Sequence, residues 1–277
     1  MNKKMRYPIK KYFGTILTFF LFVMLVLISC KKDTADYGVF LGINGDQIEK
    51  LEPYRIVVIE PSEFSKDQVT KLHKEGKTVY AYLNIGALEE YRPYYDAYKH
   101  MTLGIYENWP DEQWMDVSQE QWQEFVIDDI GKKYFDMGFD GFFIDNTDVY
   151  YHYPEERVYQ GLQCILKGLR QYPVKIIING GDTFVSKVIE DGMAKELFDG
   201  INQETVFTSI DFEDGTYHTQ SAEENAYFKE YLEKAKSVGL EIYLLEYGAD
   251  LSLAKKIESY CRQNDFVWYN APDLSLT

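Results

Sequence analysis

The sequence predicts a single-domain α/β fold, a (β/α)8 barrel, and three features of the chain support this prediction. Eight short apolar runs follow one another, most of them are separated by amphipathic helical stretches, and together they span about 240 residues. Alternation of strands and helices indicates a parallel sheet. Eight such units in this length are typical of a (β/α)8 barrel. A doubly wound parallel sheet is the alternative.

Residues 1–29 are set apart from this fold because they have the pattern of a bacterial lipoprotein signal peptide. Five basic residues precede an apolar stretch, 13–28, which ends in the lipobox-like sequence Leu27-Ile28-Ser29-Cys30. We expect Cys30 to become the lipidated first residue, residues 30–36 to form a short tether, and residues 37–277 to form the barrel. The alternative is a transmembrane anchor, for which the apolar stretch is short. Both interpretations place the domain outside the cytoplasm, and the first predicts a protein lipid-anchored to the bacterial cell membrane.

The predicted strands are short and rich in apolar residues, and each is named by its sequence and range. They are YGVFLGI (37–43), RIVVIEP (55–61), TVYAYLNIG (78–86), FDGFFIDN (139–146), KIIINGG (175–181), GINQETV (200–206), EIYLLEYG (241–248) and FVWYNAP (266–272). Between them, stretches such as 65–76, 118–138, 154–172 and 222–239 have helical periodicity, and several end in a glycine, as helices often do. The connection between the first two strands is short, so its helix is the least supported element.

The charge of the chain restricts the classes of partner. Without residues 1–29, the chain has 24 basic and 45 acidic residues, a formal charge of −21. Such a surface repels nucleic acid and anionic lipid and attracts a cationic partner. The alternative is the ordinary acidity of a secreted protein. The four histidines and three cysteines have no metal-ligand spacing and no cofactor motif is present, so we predict no metal and no cofactor. Cys164 and Cys261 are expected to be unpaired thiols.

Polar residues end every predicted strand. In chain order they are Asn44 with Asp46, Glu60, Asn84, Asp145, Asn179, Glu204, Glu246 and Asn270. The carboxyl ends of the strands of a barrel converge on one face, where the catalytic residues of such folds lie. A single polar strand end is usually a helix cap or a solvated turn, but eight together favour an acidic pocket.

Asp145 and Glu204 are the candidate catalytic pair within this set. Two carboxylates facing each other, without a metal motif or a nucleophile–histidine motif, fit glycoside hydrolysis, in which one stabilises or attacks the sugar and the other protonates the leaving oxygen. Glu246 is the replacement candidate for the acid. Aromatic residues near the strand ends could stack on sugar faces, although at least half of them are expected to pack in the core or on the surface. The predicted substrate-binding residues are Tyr82, Asn84, Glu89, Arg92, Tyr94, Trp109, Asp148, Asn179, Gln203, Glu246 and Tyr247.

Six segments in order resemble glycoside hydrolase family 114, the endo-α-1,4-polygalactosaminidase-like barrels. The segments are VYAYLNIGALEEYRPYY, ENWPDEQWMDV, GFDGFFIDNTDVY, IINGGD, NQETVF and LLEYG. The resemblance implies a (β/α)8 fold and hydrolysis, with retention, of an α-1,4-linked polysaccharide containing galactosamine, a cationic polymer. It also implies that Asp145 is the nucleophile and Glu204 the general acid/base.

Two other functions remain compatible with the sequence. One is a non-catalytic surface lipoprotein that uses the same groove to bind carbohydrate. The other is a lipoprotein that serves as a scaffold for exopolysaccharide export machinery. Retention of both carboxylates within the family-like segments favours the enzyme.

Overall fold

Eight parallel strands form a nearly closed barrel in the computed structural model, which describes residues 35–277. The strands are β1 (Ala35–Phe40), β2 (Tyr54–Ile59), β3 (Thr78–Asn84), β7 (Gly141–Asp145), β8 (Lys175–Asn179), β9 (Gly200–Glu204), β12 (Glu241–Tyr247) and β13 (Val267–Ala271). They lie side by side in this order, and parallel pairing joins β2 through β13. The rings of Phe40, Tyr54 and Tyr269 contact one another where β13 approaches β1 and β2.

Helices connect the strands and cover the outside of the barrel. The α-helical segments are Lys66–Lys74, Tyr95–Tyr98, Glu120–Glu124, Lys132–Met137, Val149–His152, Glu156–Leu169, Asp182–Glu190, Ala194–Leu197, Ala222–Ser237 and Leu251–Asn264. Segments Gly45–Leu51, Pro61–Glu63 and Lys99–Met101 are 3-10 helices, and Phe125–Gly131 is π-helical. Ser65 caps its helix by accepting a hydrogen bond from the Gln68 amide, and Gly138 ends another at a φ of 95°, a conformation that glycine adopts without a steric cost.

The core lies on both faces of the barrel wall. In β2, Val57, Val58 and Ile59 are all buried, although they point alternately inward and outward. This is expected of a parallel strand that has packed side chains on one face and helices on the other. Burial of each such side chain contributes about 1.5–3 kcal/mol, so the wall supplies a rigid frame for the residues at its end.

Two antiparallel insertions rise from the carboxyl ends of barrel strands. The first follows β3 and contains β4 (Ala87–Glu89), β5 (Thr102–Ile105) and β6 (Glu112–Met115), arranged in the order β4-β6-β5. The second follows β9 and is a hairpin of β10 (Thr208–Asp211) and β11 (Thr216–Thr219). We call them the first hairpin insertion and the second hairpin insertion. Neither was among the strands predicted from the sequence.

The predicted barrel is confirmed, and each predicted strand overlaps an observed one. The uncertain first connection is the 3-10 helix Gly45–Leu51. The predicted signal peptide and Cys30 lie outside the described residues. In residues 35–277, no helix has both the length and the apolar character needed to cross a membrane. Cys164 is an exposed free thiol and Cys261 a buried one.

Candidate active site

Four neighbouring strands end at one cavity of about 1120 Å³ at the carboxyl end of the barrel. The strands β7, β8, β9 and β12 end in Asp145, Asn179, Glu204 and Tyr247, and all four side chains line this cavity. Adjacent strands place these side chains next to one another because each strand runs in the same direction and in register with its neighbour. The barrel topology therefore assembles the group.

The amide of Asn179 bridges the two carboxylates. Its Nδ2 donates to Asp145 Oδ1 and to Glu204 Oε1, both over 2.8 Å. Because both oxygens lie 2.8 Å from one nitrogen, they are separated by at most twice that distance, 5.6 Å. The orientation of the Asn179 amide is fixed by a further hydrogen bond, since Asn202 Nδ2 donates to Asn179 Oδ1 over 2.7 Å. Asn202 in turn accepts a hydrogen bond of 3.0 Å from the Tyr37 hydroxyl.

Two tyrosines hold the outer oxygens of the same carboxylates. The Tyr82 hydroxyl donates to Asp145 Oδ2 over 2.7 Å, and the Tyr247 hydroxyl donates to Glu204 Oε2 over 2.7 Å. Each carboxylate therefore accepts one hydrogen bond on each oxygen. Side chains held at both ends keep a defined orientation, which a catalytic pair requires.

The carboxyl groups of this cavity have raised pKa values. Burial raises the pKa of Asp145, and hydrogen bonds from Asn179 and Tyr82 offset only part of that rise. Burial also raises the pKa of Glu204; Tyr247 and Asn179 act against it, and the charge of Asp145 adds to it. Both carboxyls can thus change protonation state closer to neutral pH than an exposed carboxyl does.

Two further acids in the cavity are shifted more strongly. Burial raises the pKa of Asp148 to about 7, with the charge of Asp145 as the next cause. Burial raises the pKa of Glu112 to about 8, and the charges of Glu89 and Asp145 add to the rise. An enclosed group of like charges is costly when fully ionised, so the cavity is suited to a cationic ligand.

The backbone turns sharply after the strand ends. Asn146 and Thr205, which follow the two carboxylates, have φ values of 64° and 55°, and Gly180 and Gly248 have 61° and 59°. This left-handed conformation is uncommon for non-glycine residues and unusual for a β-branched threonine. It costs on the order of 1–3 kcal/mol when a non-glycine residue adopts it. Each turn directly follows one of the strand-end residues Asp145, Asn179, Glu204 and Tyr247, whose side chains line the cavity.

A buried ionic cluster forms one wall of the cavity. Arg92 makes two hydrogen bonds of 3.0 Å to Glu60 and contacts Glu89 over 2.9 and 3.1 Å. All three side chains are buried. Burial alone would raise the pKa of Glu60, but the hydrogen bonds and charge of Arg92 lower it overall. The guanidinium thus joins the end of β2 to the first hairpin insertion.

Most of the predicted substrate-binding residues line the cavity. They are Tyr82, Glu89, Arg92, Tyr94, Trp109, Asp148, Asn179, Gln203 and Tyr247. Gln203 is 6% exposed, and its Oε1 has no hydrogen-bond partner among the described residues. This oxygen is therefore available to accept a hydrogen bond from a ligand.

Two predicted residues lie elsewhere. Asn84 is buried and does not line the cavity; its Oδ1 accepts a hydrogen bond from the Ala87 amide over 2.9 Å. Glu246 faces the outside of the barrel wall and is 0% exposed. Its carboxylate accepts hydrogen bonds from Phe207 and Thr208, of 2.6–3.1 Å, and so anchors the start of the second hairpin insertion. The structure therefore does not place Glu246 where it could replace Glu204 as the acid.

Several cavity residues come from the hairpin insertions and were not singled out from the sequence. Among them, Tyr106 and Glu112 belong to the first insertion and Phe212 to the second. The rings of Trp109 and Phe212 meet edge to face with centroids 6.3 Å apart, which joins the two insertions. Glu112 lies in the segment ENWPDEQWMDV, so the family resemblance already pointed to this part of the chain. The residues themselves did not predict a strand at this position.

No group of three or more His, Cys, Asp or Glu side chains in residues 35–277 is arranged to hold a metal ion. The site as described consists of paired carboxylates, the amide that bridges them, tyrosine hydroxyls and exposed aromatic rings. This set can transfer protons and can attack an electrophilic carbon.

Several solved structures have a fold similar to that of this chain. The glycoside hydrolase domain of PelA from Pseudomonas aeruginosa is 18% identical, with 87% of this chain and 95% of that chain covered and a TM-score of 0.72. Ega3 of Aspergillus fumigatus, solved with galactosamine, is 14% identical, with 89% and 93% covered and a TM-score of 0.64. TtGalA, an α-galactosidase from Thermus thermophilus, is 10% identical, with 85% and 57% covered and a TM-score of 0.56.

A search of curated proteins gave no match. The sequence profile of glycoside-hydrolase family GH114 matches residues 31–271, which include the whole barrel up to the end of β13. The match spans far more than half of the chain, and the resemblance inferred from the six segments is confirmed. The chain therefore belongs to glycoside-hydrolase family GH114 and is a glycosidase.

Proposed function

We propose that the protein hydrolyses α-1,4-linked polysaccharides containing galactosamine, with retention of anomeric configuration. The bridging amide of Asn179 supports this proposal most directly, because it holds Asp145 and Glu204 with their facing oxygens no more than 5.6 Å apart. Retaining glycosidases separate their carboxyl groups by about 5–5.5 Å and inverting ones by about 6.5–9.5 Å. The short separation favours direct attack by a carboxylate over attack by an interposed water.

In the first step, Asp145 attacks C1 of the sugar while the protonated Glu204 donates its proton to the glycosidic oxygen. The C1–O bond breaks, the shortened chain leaves as an alcohol, and a glycosyl ester forms on Asp145. The raised pKa of Glu204 favours the protonated form that this step needs.

In the second step, Glu204 removes a proton from a water molecule, and the water oxygen attacks C1 and releases Asp145. Esterification removes the charge of Asp145, and that charge is one cause of the raised pKa of Glu204. The pKa of Glu204 therefore falls once the ester has formed, which suits its change from acid to base.

The acidity of the cavity supports a cationic polymer as the substrate. Among residues 35–277, eight acidic residues and two basic ones, Arg92 and Lys133, line it. The acidic residues are Glu60, Glu63, Glu89, Glu112, Asp129, Asp145, Asp148 and Glu204. The relative named Ega3 was solved with galactosamine, an amino sugar that carries a positive charge when protonated. An acidic cavity attracts such a ligand and lowers the cost of its own crowded charges.

Incubation of residues 31–277 with partially deacetylated α-1,4-galactosaminan tests the proposal. We expect shorter oligosaccharides, detected by mass spectrometry. The rival function, carbohydrate binding without catalysis, predicts that the polymer is retained on the protein and stays full length.

We also propose that Cys30 carries a lipid that anchors the enzyme at the outer side of the cell membrane, close to exopolysaccharide machinery. The lipobox-like sequence before Cys30 supports this. Metabolic labelling with a palmitate analogue is expected to label the wild-type chain and not Cys30→Ser. Equal labelling of both proteins would refute the anchor.

A further inference from the structure

The carboxylate of Glu112 has no role in the two-step reaction, yet it lies in the same cavity. It begins β6 in the first hairpin insertion. Its side chain accepts a hydrogen bond from Asn84 Nδ2 over 3.3 Å, which is long for such a bond. No cation pairs with it within the described part of the chain.

Glu112 lies beside Asp145 on the side away from Glu204. Asn84, its hydrogen-bond partner, is the register partner of Asp145 across the β3–β7 pair. Glu204 is reached from Asp145 in the other direction, through Asn179 on β8. The candidate nucleophile is thus flanked by two carboxyl groups, one from the barrel wall and one from an insertion.

The surroundings of Glu112 disfavour its negative charge. Burial, followed by the charges of Glu89, Asp145 and Asp111, raises its pKa to about 8. The hydroxyls of Tyr82, Tyr91 and Tyr106 also face these charges. A cation next to Glu112 would reverse this cost, because it would stabilise the ionised carboxylate.

The other acids near Asp145 are already engaged or lie elsewhere. Glu89 and Glu60 are paired with Arg92 over 2.9–3.1 Å. Asp148 accepts a hydrogen bond of 3.2 Å from the Gly181 amide, on the β8 side. Glu112 is therefore the carboxylate on the β3 side that is free to take a new partner.

We infer that Glu112 recognises the protonated 2-amino group of the galactosamine unit whose C1 is attacked by Asp145. The inference rests on the proposed function. The amino group is attached to C2, the ring atom next to the attacked carbon, so the residue that contacts it must lie next to the nucleophile. An ammonium group on this carbon satisfies Glu112, whereas an acetylated nitrogen is neutral and leaves the carboxyl without a charge partner.

The test compares Glu112→Gln with wild type on two α-1,4-linked oligosaccharides of equal length, one deacetylated and one fully N-acetylated. We expect kcat/KM on the deacetylated substrate to fall about 10- to 100-fold, as loss of a charged contact in an enclosed site does. We expect a change of less than about twofold on the acetylated one. Glu107→Gln is the matched control, since it makes the same substitution at an exposed residue of the first hairpin insertion that lies outside the cavity and is not among the charges acting on Glu112, and it is expected to leave both values unchanged.

A second readout does not depend on turnover. Burial and the neighbouring charges raise the pKa of Glu112 to about 8, which favours its protonated form in the free protein. Binding of an ammonium group favours the ionised form, so titration of galactosamine into wild type by calorimetry should release protons to the buffer. Glu112→Gln should release fewer protons and bind galactosamine more weakly, while binding of N-acetylgalactosamine stays the same.

The possible outcomes separate this inference from the proposed function. If the wild-type protein binds galactosamine with proton release but hydrolyses neither substrate, the proposed hydrolysis is refuted, and Glu112 is kept as an amine-binding residue. Equal losses on both substrates, or equal galactosamine binding by wild type and Glu112→Gln, would overturn the inference and leave the glycosidase. Absence of galactosamine binding to wild type would overturn it as well.

Discussion

The barrel wall and the hairpin insertions contribute to one cavity in different ways. The wall supplies Asp145, Asn179, Glu204 and Tyr247 from consecutive strands, and every oxygen of the two carboxylates is held by a hydrogen bond of 2.7–2.8 Å. Within the insertions, Glu89 and Arg92 are tightly paired with each other, but other cavity side chains have loose or exposed contacts, such as Glu112 with its bond of 3.3 Å. We interpret the tightly held set of the wall as the reaction centre and the loosely held side chains of the insertions as the part that selects the polymer.

The largest effect is expected from Asp145 and Glu204, the proposed catalytic pair in the wall. Asp145→Asn and Glu204→Gln each remove a carboxylate and retain its shape, so we expect activity to fall about 10²- to 10⁴-fold with fold and polymer binding largely intact. Initial rates and a melting curve measure both properties. Turnover above roughly a tenth of wild type in either variant would remove that residue from its assigned role.

A smaller loss is expected from Asn179→Ala, which leaves both carboxylates without their shared donor. A misplacement of about 1 Å can cost about 10²-fold in rate, so we expect kcat to fall about 10- to 100-fold. Asn179 lowers the pKa of both carboxyls. Its loss therefore raises both pKa values, and both limbs of the pH–rate profile should move to higher pH.

Asn270→Ala is the matched control for that variant. Asn270 is the next-to-last residue of the barrel strand β13, but its side chain bonds the backbone of Ala249 and does not line the cavity. An unchanged pH profile in Asn179→Ala, or an equal shift in Asn270→Ala, would argue against the bridging role.

The insertions should affect polymer binding more than chemistry. Trp109 and Phe212 are 36% and 48% exposed, and they contact each other while lining the cavity. Aromatic contacts contribute about 0.5–1.5 kcal/mol, so Trp109→Ala or Phe212→Ala should raise KM for long chains about 2- to 12-fold. We expect kcat on a short oligosaccharide to stay unchanged.

Tyr151→Ala is the control for these aromatic variants, because Tyr151 is 65% exposed and lies outside the cavity. If Trp109→Ala and Phe212→Ala lowered kcat on short substrates as strongly as they raised KM on long ones, the division between wall and insertions would be wrong.

The smallest effect is expected from salt. The acidic residues that line the cavity should attract protonated amines, and salt screens such attraction beyond about 8 Å at physiological ionic strength. We therefore expect kcat/KM on a deacetylated polymer to fall as salt rises, while the value on a fully N-acetylated polymer hardly changes. If kcat/KM depends on salt equally for the two polymers, electrostatic attraction does not contribute to substrate selection.

The acidic residues singled out from the sequence lie only partly at the cavity. Glu60, Glu89 and Asp148 line it. Asp46 and Glu246 do not, whereas Glu63, Glu112 and Asp129, which were not singled out, do. The acidic character of the site was therefore predictable. Which acidic residues line the cavity could not be predicted, because it depends on how the loops and insertions fold.

The barrel could be predicted because its strands are continuous apolar runs, and a buried parallel strand requires such runs. Asp145 and Glu204 could be predicted because each directly follows such a run. Glu246 has the same local pattern and points the other way, since Leu245 is the register partner of Glu204 and neighbouring residues alternate between faces. The sequence does not show which residue of a strand faces inward, so this error was unavoidable.

The insertions could not be predicted for a different reason. Strands β4, β5, β6, β10 and β11 have three or four residues each, too few to show a period. Their place over the cavity depends on contacts between distant parts of the chain, such as Trp109 with Phe212. Glu112 therefore became visible only in the folded structure.

The central claim is that Asp145 attacks the sugar directly, because Asn179 holds it within 5.6 Å of Glu204. Proton NMR of the first product formed from an α-1,4-linked galactosamine oligosaccharide tests this claim most directly, provided that spectra are taken before the anomers equilibrate. Direct attack followed by hydrolysis inverts C1 twice and predicts an α-configured product. A β-configured first product would show a single inversion by water and would contradict the account.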